Sequence, residues 1–416
     1  MKEISRLERA IEMVKQREPQ IQAFTFLPES YQTVSPDLPL SGLPVAVKDL
    51  IDTEDMPTSY GCPLFATYLP SQDAWIVQQL KKMGAIVLGK TATTEFAWRH
   101  ATGTKNPWNQ KHTPGGSSSG SAAAVAAGMV DIALGTQTVG SIIRPAAYCG
   151  VVGFKPTYGL LPTTGIHPLA HSLDHLGFIV TNCQYASLCH QLFIEQRTEI
   201  TAPVATMPRK VSLYLPAQWK EVEPELKAHY FEIVTLLESH GIECQRLESS
   251  HLSEKWLAAL EIILAYEANQ CLSSDVGEQL ESVGKETADL ILRGRSIPEE
   301  KYQQAITLLT DSREQRDDYF PDSDVILSLA APGVAPMGQA YTGDASFCAP
   351  WTFLGLPAIT LPIGYSSRYL PIGIQFIGHA FCEAELLSFS LWLESQLPCI
   401  SAPINKRDLF IEYSTK

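Results

Sequence analysis

Between residues 73 and 91 the chain writes a helix straight into a strand. DAWIVQQLKKMG (73–84) spaces its apolar residues as a helix does and ends on Gly84, and AIVLGKT (85–91) follows with no loop between. A helix that feeds a strand within a few residues is the rhythm of a sheet covered by helices. The rhythm recurs along the chain. PVAVKD (44–49) reads as a short buried strand, SAAAVAAG as a helix stopped by Gly128, and MVDIALGTQT (129–138) as another strand. KVSLYLP (210–216), IECQRLE (242–248), DVILSLA (324–330), AITLPIG (358–364) and IGIQFIG (372–378) add strands. Helices are expected over 5–16, 223–241 and 383–396, with two longer helical stretches after 248. The fold class expected is therefore α/β. With 416 residues, 45% of them hydrophobic, the chain is long enough to bury a sizeable core. The segment from about 195 to 325 differs in character and carries most of the charge runs.

Charge and cysteines narrow the partners. A net charge of −14, from 31 basic and 45 acidic residues, argues against holding nucleic acid or an anionic membrane through bulk charge. Neither nucleic acid nor membrane is expected as a partner. No charge-free apolar run is long enough to span a bilayer. The start, MKEISRLERAIEMVKQ, lacks an apolar core, so no secretory signal is expected. Nine scattered cysteines without a CxxC pair fit reduced, mostly buried thiols in a cytoplasmic protein.

Two patterns invite specific chemistry and fail on context. GAIVLGKT (84–91) matches a phosphate-binding loop, yet its interior Ala-Ile-Val-Leu reads as the strand itself and a helix precedes it. A buried strand is the expectation. GIHPLAHSLDHLG (165–177) spaces His167, His171 and His175 four apart, as a metal-binding helix face would. Pro168 and Gly177 break that helix, so ordinary hydrogen-bonded histidines are expected, with no metal site.

TPGGSSSGSAAAVAAG (113–128) packs its serines and glycines ahead of an alanine run. It is too short for a domain linker and lies inside the most apolar third. A rigid turn feeding a helix presents N–H groups and hydroxyls at the helix start. Two more segments join it: Lys48 at the end of an apolar strand, and Ser141 in a turn after another. Burial lowers a lysine's pKa and can make it a base near neutral pH. A serine hydroxyl needs such a base to become a nucleophile, and a row of backbone N–H groups can hold an oxyanion. Against this stands the plain reading, in which Lys48 is a surface lysine and the serines cap a loop.

These segments resemble the amidase signature family. The likeness runs through LSGLPVAVKDLIDT (40–53), GAIVLGKTATTEF (84–96), TPGGSSSGSAAAVAAG, ALGTQTVGSIIRPAAYCGVVGFKPTYG (133–159) and HSLDHLG (171–177). It returns at FCAPWTFLGLPAITLPIG (347–364) and LPIGIQFIG (370–378), and is absent from about 195 to 325. The resemblance implies one domain over 1–416, a large mixed central sheet with helices on both faces, and 195–325 as a pocket-forming part of it. It implies a Ser-Ser-Lys triad: Ser141 as nucleophile, Ser117 as relay, Lys48 as base. The interval between the two serines matches the family's spacing, so the resemblance implies Ser117 as the relay over Ser118 or Ser119. Backbone N–H groups of Thr138, Val139, Gly140 and Ser141 would form the oxyanion hole, and Gly115 and Gly116 would let the loops approach. Ser118 and Ser119 are expected as loop hydrogen-bonders, and Ser121 as serving the helix start.

The implied activity is hydrolysis of a small-molecule amide to acid and ammonia or amine, without metal or organic cofactor. The alternatives are the A subunit of a glutamyl-tRNA amidotransferase, or a catalytically silent homologue that binds a ligand or partner. A homodimer is the commonest soluble assembly. Three departures from the family pattern bear on the pocket. Gln137 stands where an acidic residue is common, Val139 where glycine is, and arginine has moved one place, to Arg144.

Overall fold

The structure is a computed structural model that describes residues 5–400, apart from 33–34, 198, 248–249, 278 and 321. Among the described residues eleven strands form one sheet. In chain order they are β1 (Phe24–Phe26), β2 (Pro44–Lys48), β3 (Ile86–Thr91), β4 (Ile132–Gln137), β5 (Val152–Lys155), β6 (His175–Val180), β7 (Lys210–Tyr214), β8 (Glu243–Leu247), β9 (Val325–Leu329), β10 (Ala358–Tyr365) and β11 (Pro371–Gly378). Across the sheet the order is β1-β3-β2-β4-β6-β5-β10-β11-β9-β7-β8. The sheet is mixed: β3-β2-β4 and β9-β7-β8 run parallel, and the remaining neighbours are antiparallel.

Each central strand is buried on both faces, so its period of two sorts side chains between two cores. Val45, Val47, Ile132, Leu134, Phe178 and Val180 enter one core, together with Ile76, Val77 and Leu80 of the helix Trp75–Lys82. The alternate residues Ala46, Ala133 and Ile179 face the other, where the alanines of the helix Ser119–Ala126 lie. Small residues on both sides bring that helix close to the sheet. A Cβ on Gly120 would stand 2.1 Å from Ala23 O and 2.4 Å from Ala92 N. Helices therefore cover both faces, as the α/β rhythm requires.

GAIVLGKT is a strand: Ile86–Thr91 is buried throughout, and Gly84 closes the preceding helix at φ +84°. The first helix runs longer than 5–16. It spans Arg6–Ile21, continues through Pro19, and starts on a capping box between Ser5 and Glu8. The two helical stretches after 248 are three helices, Ser250–Val276, Lys285–Arg295 and Glu299–Glu314. With β7, β8 and the helix Pro224–Ser239 they make up most of 195–325, and β7 and β8 extend the common sheet. Sequence reasoning passed over β1, β5, β6 and the short helices Ile143–Cys149 and Cys183–Cys189. All are seven residues or fewer, and Pro145 lies inside the first of the two helices, where the first turn tolerates it. Among the described residues no helix is long and apolar enough to cross a membrane.

Candidate active site

β2 and β4 are parallel neighbours, so their C-terminal ends emerge at one edge. Sites in such sheets gather outside the C-terminal ends of parallel strands. Lys48 is the last residue of β2, and β4 ends at Gln137, followed by the turn of Thr138 to Ile142. The Lys48 side chain is fully buried. Its Nζ lies 2.8 Å from Ser117 Oγ, 2.7 Å from Thr136 Oγ1 and 3.3 Å from Thr136 O. Burial pushes its pKa well below the ordinary lysine value, partly opposed by the charge of Asp174.

Ser117 sits on a loop whose Gly116–Ser117 peptide is cis. The loop presses against the helix Ile143–Cys149. Gly115 adopts φ +84°, and a Cβ there would meet Pro145 Cα at 2.9 Å. Ser118 N donates to Ser141 O at 3.3 Å, which ties this loop to the turn that bears Ser141. Ser117, Thr138, Val139, Ser141 and Arg144 all line one cleft. Ser141 is 8% exposed, enough to meet a ligand in that cleft and little enough to exclude bulk water. Among the described residues no acceptor takes the N–H of Val139, Gly140 or Ser141.

The turn is braced from three sides. Gln137 Oε1 accepts from Ile142 N (2.8 Å) and Ile143 N (3.0 Å), and its Nε2 donates to Thr352 Oγ1 at 3.1 Å. Thr352 Oγ1 in turn donates to Val139 O at 2.7 Å. Thr138 Oγ1 donates to Asp174 Oδ1 at 2.6 Å, and Asp174 Oδ2 accepts from Leu169 N and Ala170 N. Burial raises the Asp174 pKa, opposed first by the Thr138 hydrogen bond. Thr136 and Asp174 are contacts that sequence reasoning did not single out. Asp174 lay within a quoted motif, and Thr136 interrupts the apolar run of β4.

The other serines hold the loop. Ser118 Oγ donates to Thr136 O and Ser119 Oγ to Gly115 O. Ser121 departs from expectation. The helix begins at Ser119, and Ser121 Oγ donates to Leu134 O (2.8 Å) and pairs with Thr91 Oγ1, clamping the helix to β4 and β3. The three histidines share no helix. His167 Nε2 meets Asp275 at 2.9 Å, and His175 Nδ1 meets Leu173 O. Among the described residues no group of three or more His, Cys, Asp or Glu side chains is placed to hold a metal ion. The cleft's outer wall comes from the middle segment, through Leu257, Leu260, Leu264 and Arg293. Glu95 anchors that wall by accepting from Gly284 N (2.8 Å) and Thr287 Oγ1.

The curated relatives include the A subunit of the glutamyl-tRNA(Gln) amidotransferase of Halothermothrix orenii. It is 33% identical over 408 residues, covering 86% of this chain and 85% of that one. The crystal structure of the same subunit from Thermotoga maritima superposes with a TM-score of 0.81 at 29% identity, covering 94% of this chain and 91% of that one. A protein of a vestigial complex tied to the origins of an s-triazine catabolic enzyme superposes at 0.83 with 26% identity, covering 94% and 96%. These relatives correct one expectation, the absence of a nucleic-acid partner. The name of the amidotransferase subunits carries both a tRNA and an assembly. Bulk charge bears on non-specific contact and is silent about a subunit that reaches nucleic acid within a complex. The profile described as Amidase matches residues 18–387, a span holding Lys48, both serine loops and every strand of the sheet, and on that match the chain belongs to the Amidase family.

Proposed function

We propose that this chain hydrolyses a carboxylic amide through an acyl-enzyme on Ser141. The observation that carries the reading is the contact of fully buried Lys48 Nζ with Ser117 Oγ at 2.8 Å, beneath a cleft that Ser117 and Ser141 both line. Neutral Lys48 takes the Ser117 proton as Ser117 takes the Ser141 proton, and Ser141 Oγ bonds to the amide carbon. The carbonyl oxygen gathers negative charge, which the N–H groups of Thr138, Val139, Gly140 and Ser141 receive. The proton returns along the same path to the leaving nitrogen and the C–N bond breaks. Water then attacks the ester, releasing the acid and restoring Ser141. In this reading 195–325 belongs to the same domain and walls the pocket.

A serine-reactive phosphonate tests it by intact mass. One adduct is expected on the wild type and none on Ser141→Ala; an unlabelled wild type would favour the silent homologue. Lys48→Ala is expected to abolish turnover near neutral pH. The wild-type rate is expected to fall as acid protonates Lys48, since only the neutral amine accepts a proton.

For the fate of the ammonia, the relatives favour an amidotransferase component over a free-standing amidase. Copurification with a B-type subunit, and glutaminase activity that rises with it, is the expected result. Full-rate turnover of small amides by the chain alone, unchanged by such a partner, would return the reading to a free amidase.

A further inference from the structure

Arg313 lies in the segment that carries no family resemblance, in the last turn of the helix Glu299–Glu314. It is half-buried, and one edge of its guanidinium spans two main-chain carbonyls from distant parts of the chain. Its Nε donates to Phe353 O and its Nη2 to Ser172 O, both at 2.9 Å. Two parallel N–H groups on a rigid plane can bridge such a pair, which a lysine ammonium cannot do with fixed geometry. The guanidinium carbon sits over the Tyr158 ring, 4.0 Å from its centre.

Each carbonyl belongs to an arm that braces the Ser141 turn. Phe353 follows Thr352, whose Oγ1 accepts from Gln137 and donates to Val139 O. Ser172 lies in the loop 169–174, whose Asp174 accepts from Thr138 Oγ1. Glu267, buried on the helix Ser250–Val276, holds the same loop from the other side. It accepts from Ser172 N (2.9 Å), Ser172 Oγ (2.5 Å) and Tyr302 Oη (2.8 Å). A second link between the arms runs through Tyr158, whose N donates to Gly355 O and whose Oη donates to His171 O. The guanidinium packs on that ring, so one side chain governs both links.

We propose that Arg313 is a positioning residue for acyl transfer, joining the two arms so that the N–H groups of Thr138 and Val139 stand where the oxyanion forms. The inference rests on the acyl transfer at Ser141 proposed above. It gives the helices Ser250–Val276 and Glu299–Glu314 a part in the rate, exerted through the two arms. Groups that receive developing charge act only when held in place beforehand, and small displacements are costly.

Labelling by the serine-reactive phosphonate, followed over a range of concentrations, separates a limiting rate from a half-saturating concentration. In Arg313→Gln the limiting rate is expected to fall by about 10- to 100-fold, the scale of a misplacement near 1 Å, with half-saturation little changed. Arg313→Lys keeps the charge but reaches one carbonyl, and is expected to fall between the two. Thr352→Val cuts one arm at its tip. Since it and Arg313 act through that arm, the double variant is expected to lose less than the product of the single losses. A limiting rate unchanged in Arg313→Gln would overturn the inference, as would a loss confined to half-saturation or losses that multiply in the double variant. If Arg313→Gln does not fold, the same cycle run with Arg313→Lys decides. A wild type that the phosphonate does not label would instead sink acyl transfer at Ser141, so the two failures are distinct.

Discussion

Gln137 shows how a departure from a family pattern is absorbed at the level of one residue. An acidic side chain in its place would accept from the N–H groups of Ile142 and Ile143. The amide does the same with Oε1 and has an Nε2 left to donate to Thr352. Gln137→Ala would strand two buried N–H groups beside Ser141, the proposed nucleophile, at a cost on the order of 2–4 kcal/mol. The expected outcome is a lower urea midpoint together with a fall in kcat larger than any change in KM, because the bonds lost position Ser141 and not the substrate. An unchanged kcat would show that the turn holds itself. Lys48, Ser117 and Ser141 were legible as candidates because their residue types and order carry the resemblance. Thr136 and Asp174 were not. Thr136 meets Lys48 only because β2 and β4 are parallel neighbours, and Asp174 meets Thr138 only because the loop before β6 folds back onto the turn.

At the scale of elements, the helix Ser119–Ala126 is set by what it lacks. Its alanines were legible as a helix and Gly128 as its stop, but not its closeness to the sheet. Gly120 makes that closeness possible against backbone atoms, which cannot yield as a flexible side chain would. Intrinsic propensity alone would have Gly120→Ala stabilise the helix by about 1 kcal/mol. Contact with Ala23 O and Ala92 N is expected to reverse the sign and destabilise by about 1–3 kcal/mol or more. Chemical denaturation decides between them, and a stabilised variant would mean that the helix can move off the sheet. Ser121 teaches the same lesson: its hydroxyl serves the neighbouring strands and not its own helix, which no local pattern shows. The short helix Ile143–Cys149 escaped reading because Pro145 reads as a breaker until its place in the first turn is known.

For the molecule as a whole, the sheet's mixed character followed from the resemblance, while its strand order is a matter of long-range pairing that periodicity does not encode. One buried lysine that does not line the cleft links the fold to pH. Lys155, at the end of β5, donates to Leu356 O (2.5 Å) and Pro156 O (3.4 Å), and burial pushes its amine down to about 7. Between about 7 and the ordinary lysine value the unfolded chain holds a proton that the folded chain does not, so stability rises with pH across that window. The urea midpoint is expected to climb from pH 7 to pH 9, with a slope of up to about 1.4 kcal/mol per pH unit from this group. Lys155→Met is expected to flatten that slope and to raise stability at pH 7. A slope unchanged in the variant would assign the dependence to other groups.

The same strand sets a condition on how the protein is made. β5 pairs with β10 through Gly153 to Lys155 against Ala358 to Thr360. During synthesis β5 emerges long before its partner exists, and until then the nascent sheet ends in a bare row of N–H and C=O groups. Such an edge is a template for any other strand nearby. Lys48, Ser117 and Ser141 all precede it in the chain. The groups proposed for catalysis are therefore translated early, on a half-sheet that stays adhesive until the last strands arrive to close it.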